Sequence, residues 1–181
     1  EDFDKYDFTE FEKVIGHNSY DVVILDDVTE GAAQTVLTAK DLINDDTPLM
    51  TMNSDQLVEW DVVDLFEDCK RFDALIPCFY GEGNAWSYAR CGQDGYVEEV
   101  AEKKQISEYA TAGYYYWSKG SDFVKYAEQM IEDNSRTNGE FYVAPVYNWA
   151  IKDGKKIGVF MVDKLHSLGT PEDLKEYLGE V

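Results

Sequence analysis

The chain has 181 residues, of which 44% are hydrophobic and 14% aromatic, and it carries a formal net charge of −21. This length suits one domain with a sizeable buried core, and the many aromatic residues exclude an acidic disordered tail. The negative charge argues against nucleic acid and anionic membranes as partners, because binding to either requires basic patches.

The sequence also carries hints about location and cofactors. No apolar run in the sequence reaches the roughly 18 residues that a membrane helix needs, and we expect no signal peptide. Cys69, Cys78 and Cys91 are odd in number and lack the spacing of a zinc site. We therefore expect a cytoplasmic protein with reduced thiols and no membrane association.

Hydrophobic periodicity predicts alternating helices and strands. The predicted helices are 2–15, 29–43, 62–69, one with Ser121 as its N-cap, 141–151, and one beginning at Thr170-Pro171. The predicted strands are 21–25, 49–52, 73–80, 86–90 paired with 95–101, 110–117 and 157–165. This alternation predicts a single α/β domain over residues 1–181, with a small β-rich insertion around 81–100.

The stretch 48–61 is the most informative part of the chain. An apolar run at 49–52 reads as a buried strand, and four polar residues, 53–56, follow it directly. Ligands of open α/β sheets bind at the carboxyl ends of strands, and a carboxylate there can hold a divalent metal. Asp55 is therefore a candidate metal ligand, although an Asp that simply stabilises a turn would look the same.

A second candidate site lies at a helix entry. Gly31, Ala32 and Ala33 are small enough to let a phosphate or a flat ligand approach the backbone N–H groups. Tight packing of a helix on a sheet would favour the same residues.

Four segments, in this order, resemble the sugar-phosphate nucleotidyltransferase family, most closely its capsule and surface-polysaccharide branch. They are TEGAAQTVLTAKDLI at 29–43, PLMTMNSDQ at 48–56, VAEKKQISEYATAGYYYW at 100–117, and GEFYVAPVYN at 139–148 with the later LGTPEDLKEYL at 168–178. The resemblance implies a Rossmann-like (GT-A-type) mixed sheet flanked by helices. It also implies an enzyme that joins a nucleoside triphosphate (NTP) to a sugar 1-phosphate, with Mg²⁺ as cofactor and release of pyrophosphate.

The resemblance also implies roles for particular residues. Gly31, Ala32 and Gln34 match the loop that holds the nucleotide base, and Asp55 matches the catalytic metal ligand. Glu102 and Lys103 match the pair that meets the sugar and its phosphate, with Lys103 offsetting the phosphate charge during catalysis. Gly113 matches the small residue against which the sugar packs.

Two features depart from the family pattern. The family's Gly-rich triphosphate loop, of the LxGGxGTRLxPLT kind, has no counterpart in this sequence, so we expect the chain to lack that N-terminal segment and to be inactive in isolation. Ser167 also stands where many members carry a second metal-binding Asp.

Two other functions therefore stay open. One is a metal-dependent glycosyltransferase of similar fold that uses Asp55 to hold a nucleotide sugar. The other is a non-catalytic relative that binds sugar phosphate or nucleotide. An oligomer is possible under all three interpretations.

Overall fold

The computed structural model describes residues 20–180. The predicted helix at 2–15 lies outside the described residues. Within them the chain forms nine strands: β1 Leu49–Met52, β2 Gln56–Glu59, β3 Ala74–Tyr80, β4 Ser87–Cys91, β5 Val97–Glu102, β6 Tyr109–Thr111, β7 Tyr114–Trp117, β8 Ile157–Met161 and β9 Lys164–Ser167.

The described strands form a large sheet centred on β3 and a small two-stranded sheet. In the large sheet the order is β1-β7-β3-β6-β4-β5, and β8 also pairs with β3. Ala74 of β3 is paired with Trp117 of β7 in antiparallel register and with Ile157 of β8 in parallel register. The central strand therefore has partners on both edges, and its first five residues are buried.

The small sheet pairs β2 with β9 in antiparallel register, which places Gln56 opposite Ser167. β2 follows the tip of β1, and β9 precedes the last described helix. The pairing therefore brings the end of the chain next to the polar loop after β1.

The helices are Ala32–Leu37, Lys40–Ile43, Val62–Cys69, Gly120–Glu132, Tyr147–Lys152 and Pro171–Leu178, with a 3₁₀ turn at Ala144–Val146. Asp61 caps the helix Val62–Cys69 by accepting from the backbone N–H of Val63 at 2.8 Å. In the last helix, Thr170 and Asp173 form a reciprocal capping box, as the Thr-Pro-Glu-Asp sequence predicts.

An aromatic cluster lies at the centre of the main core. The rings of Trp117 and Tyr147 are stacked with centroids 4.4 Å apart, and Phe123 meets Trp117 edge-on at 6.0 Å. The buried Tyr147 hydroxyl donates to the carbonyls of Tyr116 at 3.2 Å and Leu75 at 3.4 Å. The cluster thus packs the helix beginning at Tyr147 against the central strands. The hydroxyl oxygen, the only polar atom of the Tyr147 side chain, has hydrogen-bond partners although it is buried.

The predicted strand at 21–25 is wrong. These residues form no strand, and Ile24 is 74% exposed. A β-branched segment becomes a strand only when a neighbouring strand takes up its backbone hydrogen bonds, and no described strand pairs with it.

Other predicted elements are correct in position but interrupted. The single strand predicted at 110–117 is two strands separated at Ala112-Gly113, and the strand at 157–165 is two strands separated at Val162-Asp163. The helix predicted at 29–43 breaks at Thr38-Ala39. β1 is only partly buried, with Met52 62% exposed.

Two helix starts also differ from prediction. Ser121 lies inside its helix, and the N-cap is Lys119, whose side chain makes no capping hydrogen bond. Helical structure in the predicted 141–151 segment starts only at Ala144. The Phe141 N–H donates instead to the Glu30 carbonyl at 2.9 Å, outside any helix.

The mixed α/β class is confirmed. The hairpin of β4 and β5, which the sequence suggests as an insertion, continues the main sheet through β6. Among the described residues, no helix is both long and apolar enough to cross a bilayer.

Substitution of Gly120 tests the packing at the start of the longest described helix. A Cβ atom at Gly120 would lie 2.0 Å from the carbonyl oxygen of Ile43, which is backbone and cannot move aside cheaply. We expect Gly120→Ala to lower the free energy of unfolding by about 1–3 kcal/mol in urea denaturation. The neighbouring Ser121→Ala variant is the control and should change stability little; a larger loss in the control would restore Ser121 as the cap.

Candidate active site

A cavity of about 170 Å³ lies at the interruption between β6 and β7. It is smaller than the roughly 300–1,000 Å³ of sites for drug-sized ligands, so it suits one ring of a larger ligand. Residues from six separate parts of the chain line it: Ala32, Asn53, Gln56, Ala85, Trp86, Ser87, Glu102, Thr111, Gly113, Tyr115, Tyr142, Val143 and Ala144.

Gly113 shapes one wall of this cavity. Its φ of +76° is a conformation that glycine adopts without strain, and its carbonyl accepts from the Asn53 N–H at 2.9 Å. The Gln56 amide lies directly over it, since a Cβ on Gly113 would be 1.6 Å from Gln56 Oε1. The surface implied to receive a sugar is therefore covered by Gln56 in this structure.

Glu102 supplies the carboxylate of the cavity, at the end of β5. Its side chain is hydrogen-bonded by the hydroxyl of Ser87, which lies opposite it on β4. Burial raises the pKa of Glu102, while the Ser87 hydrogen bond and the charge of Lys103 act in the other direction. A partly desolvated carboxylate with a free acceptor position is suited to binding hydroxyl groups.

A buried hydroxyl pair lies beside this carboxylate. Thr111 Oγ1 and the Tyr115 hydroxyl are 3.0 Å apart. Burial is the main cause that raises the pKa of Tyr115 to about 12, so this phenol stays neutral and acts only as a hydrogen-bonding group.

Lys103 lies at the rim of the cavity rather than in its lining. Its φ of +52° is unusual for a residue other than glycine, and its backbone N–H donates to the Trp86 carbonyl at 3.0 Å. Its ammonium donates to the Tyr142 hydroxyl at 2.8 Å, and this hydrogen bond is the main cause that raises the pKa of Lys103.

The loop at Gly31 forms another wall. A Cβ on Gly31 would lie 2.5 Å from backbone atoms of Phe141, and the φ of +135° also disfavours any other residue. Ala33 N–H donates to the Phe141 carbonyl at 2.9 Å. Gln34 Oε1 accepts from the Glu30 N–H at 2.5 Å, so its side chain braces the loop itself.

Asp55 is exposed at the tip of β1, and its carboxylate makes no hydrogen bond or ion pair with residues 20–180. Its backbone carbonyl accepts from Leu168 N–H at 2.8 Å. Oδ2 lies 3.1 Å from where a Cβ of Gly169 would be, so only glycine fits beside it without displacement. Ser167 Oγ donates to Asp173 at 3.1 Å.

The Asp55 carboxylate suits a Mg²⁺ ion that would be held jointly by the protein and the substrate. Mg²⁺ prefers oxygen, keeps several waters, and is often held by one or two carboxylates together with substrate phosphates. No group of three or more His, Cys, Asp or Glu side chains within the described range could form a complete protein cage. The uncommitted Asp55 is therefore the residue that would contribute.

The structure brings most of the predicted site residues together. Ala32, Glu102 and Gly113 line the cavity. Lys103 lies at the rim of the cavity, where it is bonded to the lining residue Tyr142. Asp55 lies beside the cavity, next in sequence to the lining residue Gln56. Gly31 and Gln34 shape the loop. Gln56 and Tyr142 were not predicted as site residues, although both lie within segments that carry the family resemblance.

Comparison with protein families gives a match over residues 4–177 to the family described as nucleotidyl transferase. The chain belongs to this family. Comparison with curated protein sequences found no match.

Solved structures support the fold of this nucleotidyl transferase. It is similar to the nucleoside-diphosphate-sugar pyrophosphorylase from Vibrio cholerae RC9, with a TM-score of 0.79 at 22% identity over 94% of this chain and 73% of that one. A Bacillus anthracis protein described as a glucose-1-phosphate thymidylyltransferase, in complex with sucrose, gives 0.68 at 18% identity, over 88% and 64% of the two chains.

A third relative is a UDP-glucose pyrophosphorylase complexed with UDP-glucose, with a TM-score of 0.66 at 16% identity over 85% of this chain. This nucleotidyl transferase chain spans 73% of the first of these proteins and 64% of the other two. At these identities the likeness establishes the Rossmann-like fold.

Substitution of Glu102 tests the buried carboxylate. Because its pKa is raised by folding, the folded protein binds more protons than the unfolded chain above the usual value of 4.5, and stability declines as pH rises through that window. Glu102→Gln removes this penalty. We expect the variant to unfold at the same temperature as wild type below pH 4.5 and at a higher temperature at neutral pH. An equal difference at both pH values would contradict the assignment.

Proposed function

We propose that this protein transfers a nucleoside monophosphate from an NTP to a sugar 1-phosphate and releases pyrophosphate, as a cytoplasmic step of polysaccharide biosynthesis of the capsule type. The observation that supports this proposal is the cavity where Ala32, Gly113 and Glu102 meet, with Lys103 and Asp55 beside it. These residues come from separate segments that resemble the family. The cavity suits a single sugar ring.

In the proposed reaction an oxygen of the sugar phosphate attacks the α-phosphorus of the NTP. A new P–O bond forms, the bond between the α-phosphorus and its bridging oxygen to the β-phosphate breaks, and pyrophosphate leaves with the electron pair. The attacking oxygen is already ionised near neutral pH, so no strong base is required. Catalysis of this kind depends mainly on positioning and charge neutralisation.

The chain's own residues divide these tasks. Glu102 accepts hydrogen bonds from sugar hydroxyls, and Lys103 offsets the charge of the sugar phosphate. The Gly31–Ala32 loop receives the base. Asp55 would act on the triphosphate through the Mg²⁺ that it would hold.

Mg²⁺ is part of this proposal, with Asp55 as its protein ligand. When bound, it supplies charge neutralisation at the triphosphate. The net charge of −21 makes such a cation important, because the protein's own field repels both substrates.

The names of two similar proteins agree with this reaction class: one is a nucleoside-diphosphate-sugar pyrophosphorylase and another is complexed with UDP-glucose.

A non-catalytic sugar-phosphate or nucleotide binder is the second candidate. It is favoured by Ser167, which stands where many family members carry a metal-binding Asp and which is hydrogen-bonded to Asp173. Asp55→Ala separates the two functions. Affinity for the Mg²⁺–NTP complex, measured by calorimetry, should collapse if Asp55 holds the metal for catalysis and should barely change in a passive binder. A glycosyltransferase would also lose affinity but would release no pyrophosphate.

Pyrophosphate release tests the proposed reaction in the full-length protein. Each NTP is combined with a panel of hexose 1-phosphates and Mg²⁺, and nucleotide sugars are identified by mass spectrometry. We expect Asp55→Asn to lower kcat/KM by about 10²-fold or more. The control is Asp41→Asn, an exposed carboxylate on the Lys40–Ile43 helix. Unchanged activity in Asp55→Asn would contradict the metal assignment.

A lysine pair provides a second test in the same assay. Lys103→Met should raise the KM for the sugar 1-phosphate about tenfold, because a charged hydrogen-bonding partner is lost. The adjacent exposed residue gives a matched control, Lys104→Met, which should behave as wild type. Equal effects of the two substitutions would show that only the general surface charge matters.

A further inference from the structure

The backbone of Lys103 is fixed in an uncommon conformation at the cavity rim. A left-handed φ of +52° in a lysine persists only where the surroundings hold it, and here the Trp86 carbonyl accepts the Lys103 N–H at 3.0 Å. This conformation directs Lys103 away from the course of β5. Glu102, the residue before it, faces the cavity.

The side chain of Lys103 is also held, although it is exposed. Its ammonium is 2.8 Å from the Tyr142 hydroxyl and 4.9 Å from the centre of the Tyr142 ring. Lys104, the next residue, is exposed and makes no such contact with any described side chain. An exposed lysine ordinarily samples many rotamers, so this hydrogen bond limits where the charge of Lys103 can lie.

Tyr142 is itself well anchored. Both backbone polar groups of the preceding residue, Phe141, are hydrogen-bonded. Its N–H donates to the Glu30 carbonyl and its carbonyl accepts from the Ala33 N–H, both at 2.9 Å. The next residue, Val143, is buried. Tyr142 is half-buried and lines the cavity, so its hydroxyl is a fixed point between the Gly31 loop and Lys103.

We propose that Tyr142 is a positioning residue that holds the Lys103 ammonium over the cavity entrance, where the phosphate of the sugar phosphate binds. This inference rests on the proposed function and goes beyond it by naming what orders the lysine. Because Tyr142 belongs to the segment bonded to the Gly31 loop, the base loop and the phosphate-binding charge share one support. Tyr142 needs no contact with the substrate.

The carboxylates near the Lys103 ammonium determine what we expect when the Tyr142 hydroxyl is removed. Glu102 and Glu140 both favour its charged form, but the Tyr142 hydrogen bond is the largest contribution. Removing the hydroxyl therefore frees the lysine to move toward these carboxylates without neutralising it. Binding of the sugar phosphate weakens, whereas the chemical step of bound substrate stays intact.

The kinetic test compares Tyr142→Phe with wild type in the full-length protein. We expect the KM for the sugar 1-phosphate to rise about tenfold, with kcat and the KM for NTP changed less than about twofold. In a Lys103→Met background the same substitution should have no further effect, because its target is gone. Additive losses in the double variant, or an equal rise in both KM values, would overturn the positioning role.

A second measurement tests the hydrogen bond between Lys103 and Tyr142 without relying on enzyme activity. The ε-carbon signals of lysine, followed by NMR as a function of pH, should show a lower pKa for Lys103 in Tyr142→Phe than in wild type. The control is Tyr109→Phe, another half-buried tyrosine outside the cavity lining. An unchanged Lys103 signal would overturn the inference. If wild type releases no pyrophosphate while the Lys103 signal shifts as expected, the reaction assignment fails and the contact is upheld.

Discussion

The interruption of one strand at Ala112-Gly113 determines how this site is built. On one side of the break β7 pairs with β1 and with the start of β3, and on the other side β6 pairs with the end of β3 and with β4. The freed Gly113 carbonyl bonds the polar loop after β1 at Asn53. The cavity lies beside this interruption, with Thr111, Gly113 and Tyr115 in its lining. A side chain at Gly113 would meet both strain and a collision with Gln56.

Electrostatics set a second constraint on the site. The chain carries 37 acidic residues against 16 Lys and Arg, so an anionic substrate approaches through a repulsive field. Salt screens such a field over about 10 Å at 0.1 M ionic strength, but the salt does not supply the local positive charge that binding of an anion requires. In the proposed function, Lys103 at the cavity rim supplies that local positive charge. Its order matters more here than it would on a basic protein.

Sequence patterns predicted the elements that are defined locally. The apolar run at 73–80 became β3, and the Thr-Pro-Glu-Asp signature became a capped helix. The segment at 21–25 has the composition of a strand but no described neighbour to pair with, and pairing is not a local property. The same reason explains the missed residues of the site. Gln56 covers Gly113 only because β1 and β7 pair in one register, and Tyr142 meets Lys103 across 39 positions of sequence.

The attachment of Tyr147 to the core has a consequence for motion. Its hydroxyl bonds the carbonyls of two central strands, and its ring stacks on Trp117, so the residues after the cavity wall are part of the main core. A segment tied in this way opens only when the core opens, and its amide hydrogens should exchange with solvent as slowly as those of β3. The loop around Asp55 is instead held at the exposed surface, by backbone hydrogen bonds from Asn53 N–H to the Gly113 carbonyl and from Leu168 N–H to the Asp55 carbonyl. One wall of the site therefore opens only with the core, whereas the opposite wall has fewer buried contacts to break and should exchange its amide hydrogens faster.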